Sequence, residues 1–271
     1  MCSQDSDEES YEFFENIVEY VKKAKSAETA AASSNAETKC KSFMLAYGSR
    51  FKAEETARTI CEQFINLYNS LNDPECNLNS YPNKKCCKFL KYWINFKLMK
   101  SMKNEDECVS KIYNALESHI TGSDEFNIDL YYEYDINKDD LKKMNILYSL
   151  YEKHTELDTI LMNISKVDKE SLLLHSTACC THYIKAKYIC NDDNNRNDNS
   201  VFCNKLTTFK SKYDALYEKA FQEGSDYANN FIKLEECSNN KIITTAVTGT
   251  VVGLIPLLGV LYKVSELNIK L

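Results

Sequence analysis

The stretch Ile242–Tyr262, IITTAVTGTVVGLIPLLGVLY, holds no charged residue and is bracketed by Lys241 and Lys263. As a helix rising about 1.5 Å per residue it is about 30 Å long, the thickness of a bilayer's hydrocarbon core. A buried core helix rarely needs so long an uncharged run. The segment 241–263 therefore reads as one transmembrane helix, with the lipid bilayer as its partner. Thr244, Thr245, Thr248 and Thr250 lower its hydropathy, but threonine hydroxyls bond back to the helix backbone. Pro256 is tolerated in a membrane helix. Ala246, Gly249 and Gly253 place small residues on one face, where two helices can approach closely. That face makes a homodimer through the span a candidate association.

The chain ahead of this run has a different character. Its formal net charge, -7 for the whole chain, argues against nucleic acid, whose phosphates call for a basic surface. There are 6 Gly and 3 Pro against 18 Tyr and 12 Phe. Few breakers and many large apolar residues suit long helices packed by aromatics, not a turn-rich sandwich. The expected fold is mainly α: a disulfide-stapled helical ectodomain followed by one C-terminal transmembrane helix.

Twelve cysteines are a high count for a reducing compartment. Cys40, Cys61, Cys76, Cys86, Cys87, Cys108, Cys179, Cys180, Cys190, Cys203 and Cys237 are the candidate disulfide residues. Their pairing is not legible, with one exception. Cys190 and Cys203 bracket the polar loop NDDNNRNDNS, 191–200. Closing so short a loop costs little entropy, so these two are expected side by side, bonded or in one cluster. The N-terminus, MCSQDSDEESYEFFENIV, has neither a basic start nor an apolar run, so it is not an ordinary signal peptide. Either the C-terminal helix directs insertion, or export takes another route. Lys233 and Lys241 before the span balance Lys263 and Lys270 after it, so the positive-inside rule gives no orientation. The cysteines place the head outside and the tail inside.

Helical periodicity marks several segments. Phe13, Phe14, Ile17, Val18 and Val21 set a first helix within 11–32, and an Ala/Ser-rich stretch, 26–38, reads as a fraying end or linker. A second helix at 52–71 carries Ala57, Ile60, Cys61, Phe64, Leu67, Tyr68 and Leu71. A loop at 71–85 is marked by Pro74 and Pro82. The aromatic helix 86–102 holds Phe89, Tyr92, Trp93, Phe96 and Met99, and another helix covers 105–120. The stretch 121–136 reads as a short strand or an irregular loop. The period returns from 137, again over 168–190, and in a last helix at 203–236. The expected units are an N-terminal helix and linker (1–39), a cysteine-rich helical ectodomain (40–240), the span (241–263) and a short tail (264–271).

The chemistry is sparse. His175, Cys179 and His182 fall at i, i+4 and i+7 on a helix, one face with three groups of the zinc-binding kind. The cysteine-rich context favours disulfide use of this region instead, and a disulfide removes the thiolate that a Cys–His nucleophile needs. No P-loop, GxGxxG or HExxH occurs. The aromatic stripe Phe89–Phe96 reads as core, not a ligand cage. The acidic runs Asp5–Glu9, Asp124–Glu125 and Asp192–Asp193 read as solvated surface. Asn163-Ile-Ser165 is a glycosylation sequon. No catalytic, cofactor-binding or metal residue is assigned.

Cys61 and Phe64 on a helix ending in Leu67-Tyr68, then Cys76, then CCKFLKYWINFKLM at 86–99, resemble the "C-x-YLNYWL" core of the malaria-parasite (Plasmodium) interspersed repeat family. This is the PIR superfamily, which includes the VIR variant proteins of the vivax parasite. Cys190, Phe202, Cys203, Leu206, Phe209 and Tyr213 are similar to its second cysteine block, and VTGTVVGLIPLLGVLYKV to its membrane segment. The likeness runs from Cys40 to Lys263. Two features depart from the pattern. The tail after the span is only SELNIKL, and the N-terminal cysteines match loosely. The resemblance implies a non-enzymatic variant surface antigen, exported to the infected-erythrocyte or parasite surface and acting in antigenic variation, immune evasion or adhesion. Its partners would be an antibody or host receptor. Two other readings stay open: a tail-anchored protein with a cytosolic helical head, and a membrane-bound enzyme. A count of free thiols separates the first from the leading reading, and bound zinc bears on the second.

Overall fold

A computed structural model describes residues 4–5, 8–72, 76, 85–104, 107–121, 135–162, 168–191 and 200–237. Helices make up almost all of it. A 3-10 segment, Glu8–Glu15, leads into α1 (Ile17–Thr29), α2 (Ser34–Tyr47), a 3-10 turn at Gly48–Arg50, and α3 (Glu54–Leu71). Then come α4 (Lys85–Ser101), α5 (Val109–Ile120), α6 (Lys138–Met162), α7 (Lys169–Asn191) and α8 (Ser200–Glu223). A short helix α9 (Ser225–Ala228) and a 3-10 turn at Leu234–Glu236 follow.

Several helix starts have a local cause. Glu54 and Glu55 sit in the first turn of α3, where the helix dipole favours negative charge. Ser33 Oγ accepts from the Ala36 N–H at 3.2 Å and caps α2. Asn137 caps α6 by accepting from the Asp139 N–H at 2.9 Å. Asp168 caps α7 through the Ser171 N–H at 3.0 Å. The expected helix 203–236 is divided. It stops at Glu223 because Gly224 adopts a φ of 127°, a backbone that L side chains rarely reach.

The cap of α5 comes from afar. Asp135 is buried, and its two carboxylate oxygens accept from the Val109 N–H at 3.0 Å and the Ser110 N–H at 2.6 Å. Asp135 belongs to β2 (Asp135–Ile136), which pairs in parallel with β1 (Gln4–Asp5). The stretch 121–136 thus ends in a strand; 122–134 lie outside the described residues. Asp135→Ala removes both acceptors from a buried helix start. It is expected to cost about 1–3 kcal/mol in urea unfolding, and Asp135→Asn less. A cost under about 0.5 kcal/mol would mean that solvent replaces the cap.

One apolar core runs from Tyr11 to Cys237. Its densest part is an aromatic pile in which Phe13 lies 4.4 Å from Phe14, 5.2 Å from Tyr92 and 5.7 Å from Phe89, ring centre to ring centre. Helix α4 is central. It buries Phe89, Leu90, Tyr92, Trp93 and Ile94 in succession, which places apolar side chains on more than one side. The division expected at 39/40 falls within α2; the stretch 26–38, expected as a fraying end or linker, holds the end of α1, a non-helical link at 30–33 and the start of α2, and residues from Tyr11 onward share the core with the rest.

The expected fold needs one correction. Among the described residues no helix is long and apolar enough to cross a membrane. The longest, α6, α8 and α7, carry charged groups along their exposed sides, such as Lys142 and Asp139 on α6. The expected span 241–263, with Ala246, Gly249 and Gly253, and the tail 264–271 lie outside the described residues.

Candidate functional site

Among the described residues four disulfides tie the helices together. Cys40–Cys61 joins α2 to α3 with Cα atoms 5.4 Å apart. Cys76–Cys86 ties residue 76 to the start of α4 at 6.1 Å. Cys180–Cys237 fixes the last described residue to the middle of α7 at 5.1 Å. Cys190–Cys203 joins the end of α7 to the start of α8 at 5.7 Å. All fall within the usual Cα range. Cys108 is also disulfide-bonded. Cys87 and Cys179 remain thiols, both buried.

The Cys190–Cys203 bond is the pairing that spacing suggested. The Cys40–Cys61 pair had a readable signal that the sequence analysis did not use. The two cysteines stand equally far on either side of Arg50 and Phe51, at the turn between α2 and α3. In an antiparallel helix pair, positions equidistant from the turn meet. Cys180–Cys237 had no such signal, since α8 and α9 lie between its partners.

Two of these bonds sit at the bases of polar segments. Cys76 and Cys86 enclose 77–85; Cys190 and Cys203 enclose 191–202. These contain most of the two polar loops, 72–85 and 191–200. Apart from Asn72, Cys76, Lys85, Asn191 and Ser200, those loops lie outside the described residues. So do Asn163 of the sequon, Asp124–Glu125 and Asp192–Asp193.

The spacing of His175, Cys179 and His182 does place them along the seam between α7 and α6, but it does not gather them into a ligand set. His175 Nδ1 donates to Glu156 Oε2 at 2.6 Å. Lys153 Nζ donates to the same oxygen at 2.9 Å, and Lys25 of α1 donates to Oε1. Burial alone raises the Glu156 carboxyl, but the hydrogen bonds from His175, Lys153 and Lys25 outweigh it and hold it well below the usual range. Cys179 Sγ points to the Leu150 carbonyl at 3.9 Å. Burial pushes its thiol well up, so it holds its proton at neutral pH and is no nucleophile there. Burial holds His182 down at about 4. Among the described residues no group of three or more His, Cys, Asp or Glu is placed to hold a metal ion.

The aromatic stripe of α4 is packed, not open. Phe89, Tyr92 and Trp93 are buried. Trp93 Nε1 donates to Glu28 at 3.2 Å, and Lys97 pairs with the same carboxylate at 2.8 Å while lying 5.2 Å from the Trp93 ring centre. What the described residues offer is a cross-linked helical frame whose bonded cysteines delimit two polar segments, with a charged seam under α7. No protein-family model, curated protein or solved structure matches the chain.

Proposed function

We propose that the chain is a non-enzymatic recognition domain displayed outside a reducing cytosol, with polar segments 72–85 and 191–200 as its binding surface. The observation that carries this reading is the placement of Cys76–Cys86 and Cys190–Cys203 at the bases of those segments. A covalent tie at the base lets the intervening sequence change while the helices beneath keep their register. Disulfides in this number also favour an oxidising location. The resemblance to the PIR superfamily gives the reading its biological form. In that form the chain is a variant surface antigen at an infected-erythrocyte or parasite surface, met by antibodies or a host receptor.

The test is replacement of 192–199 by a Gly/Ser linker of equal length. Far-UV circular dichroism and the thiol count are expected to stay as in the parent. Binding by antibodies raised against the folded chain, or by a host-cell surface, is expected to fall. A replacement that unfolds the helices makes the segment structural. Unchanged recognition would remove the segment from the binding surface.

A further inference from the structure

Cys108 stands immediately before α5 and is disulfide-bonded. The four described bonds use eight other cysteines and supply no partner for it. Cys87 and Cys179 are thiols. The chain has 12 cysteines, so a single sulfur remains, that of Cys2, which the sequence reading left out of its candidate set.

The backbone brings the two ends of such a bond together. β1 runs parallel to β2, with Gln4 in register with Asp135. The Asp135 carboxylate accepts from the Val109 N–H at 3.0 Å, and Val109 is the residue after Cys108. Asp135 therefore meets both segments at once, Gln4 through its backbone and the neighbour of Cys108 through its side chain. Cys2 is two residues from Gln4, a reach of at most about 7 Å, and bonded cysteines need Cα atoms about 4.4–6.8 Å apart. The β1–β2 ladder is only two residues long on each strand. A ladder that short does not hold a chain end by itself, and a covalent tie beside it supplies the missing fastening.

We infer that Cys2–Cys108 is a further disulfide, a strap that fixes β1 to the start of α5 and closes the chain from 2 to 108 into a ring. The bond forms by thiol–disulfide exchange with a small disulfide oxidant, RSSR. One cysteine thiolate displaces RS⁻ to give a mixed disulfide; the other attacks that bond and releases the second RS⁻. The two thiols lose two protons and two electrons, and the oxidant leaves as two RSH. With the strap in place the bonds fall into two nested sets. Cys2–Cys108 encloses Cys40–Cys61 and Cys76–Cys86, and Cys180–Cys237 encloses Cys190–Cys203. No bond joins one set to the other. Helix α6, which holds no cysteine, lies between them in the chain. It joins them by packing and by ion pairs to either side, Glu156 with Lys25 of α1 and Asp158 with Lys219 of α8 at 3.2 Å. The molecule is thus two covalently closed blocks held together without a covalent crosslink.

Peptide mapping of the whole unreduced chain tests the strap. The oxidised protein is denatured with its free thiols blocked, digested with trypsin and read by mass spectrometry. The expected product joins the peptide that carries Cys2 and ends at Lys22 to the peptide Asn104–Lys111, and reduction separates them. A blocked Cys2, Cys108 joined to any other cysteine, or Cys108 joined to a second chain would each overturn the inference. A cut in the ring gives an independent reading. The link 30–33 lies inside 2–108 but outside both inner rings. A chain cleaved at a protease site placed there is expected to run as one piece in denaturant until it is reduced, and Cys108→Ser with the same cut as two. Two pieces from the unreduced parent, or one piece from Cys108→Ser, would also overturn it. If Cys108→Ser does not fold, the map of the parent chain decides.

Discussion

Replacing Cys180 and Cys237 together by alanine is expected to lower the unfolding free energy by about 4 kcal/mol. The two are separated by 57 residues, the largest of the four described spans, and loop-closure entropy rises with the logarithm of that length. The same relation gives about 3 kcal/mol for Cys40–Cys61, Cys76–Cys86 and Cys190–Cys203, with separations of 21, 10 and 13. The longest tie also holds down a segment with little secondary structure of its own. Phe231, Ile232 and Leu234 are buried there, and Tyr213 donates to the Ile232 carbonyl at 2.8 Å. Urea unfolding of the four double-alanine variants under identical conditions gives the order. A loss at Cys180–Cys237 no larger than at Cys76–Cys86 would mean that the unbonded chain keeps α7 and residue 237 together by packing alone.

Phe13→Ala is expected to cost about 3–5 kcal/mol, the usual range for a fully buried phenylalanine. Phe13 has no exposed surface, and its ring is the meeting point of Phe14, Phe89 and Tyr92. Deleting it opens a cavity between the N-terminal 3-10 segment and α4, two elements far apart in sequence. Phe13→Leu keeps much of the volume and should cost less. The measurement is thermal or urea unfolding of both variants. A loss below about 1 kcal/mol for the alanine would separate the N-terminal segment from the core.

The helices that the sequence made legible are those with strong apolar contrast. Helix α3 repeats Ile60, Phe64, Leu67 and Leu71 against charged neighbours, and its period can be read directly. Helix α2 was not readable because it buries little: Ala36, Cys40 and Phe43 face inward, and two of those three are small. The ending of α8 needed a backbone fact. One glycine in a helical pattern is often tolerated, and only the positive φ of Gly224 shows that it breaks the run. On α7 the spacing of His175, Cys179 and His182 correctly placed them along one seam. Their chemistry was illegible because Glu156 and Lys153 come from α6 and Lys25 from α1. Only tertiary packing turns a zinc-like spacing into an ion-pair seam.

The two Cys-Cys dipeptides each pose a choice between neighbouring sulfurs. In Cys86-Cys87 and in Cys179-Cys180, one sulfur is bonded and its sequence neighbour stays a thiol. In a disordered chain the two neighbours are nearly equivalent, since moving a crosslink by one residue barely alters closure entropy. On a helix they differ by about 100° of azimuth, and only one faces its partner. The native choice at each dipeptide is therefore one that the folded helices favour. Oxidation ahead of helix formation would give mixed isomers in which the wrong neighbour is used, and thiol–disulfide exchange by the adjacent sulfur is the shortest route back to the native pairing. Which sulfur is used in these two places is thus set by helix azimuth and not by distance along the chain.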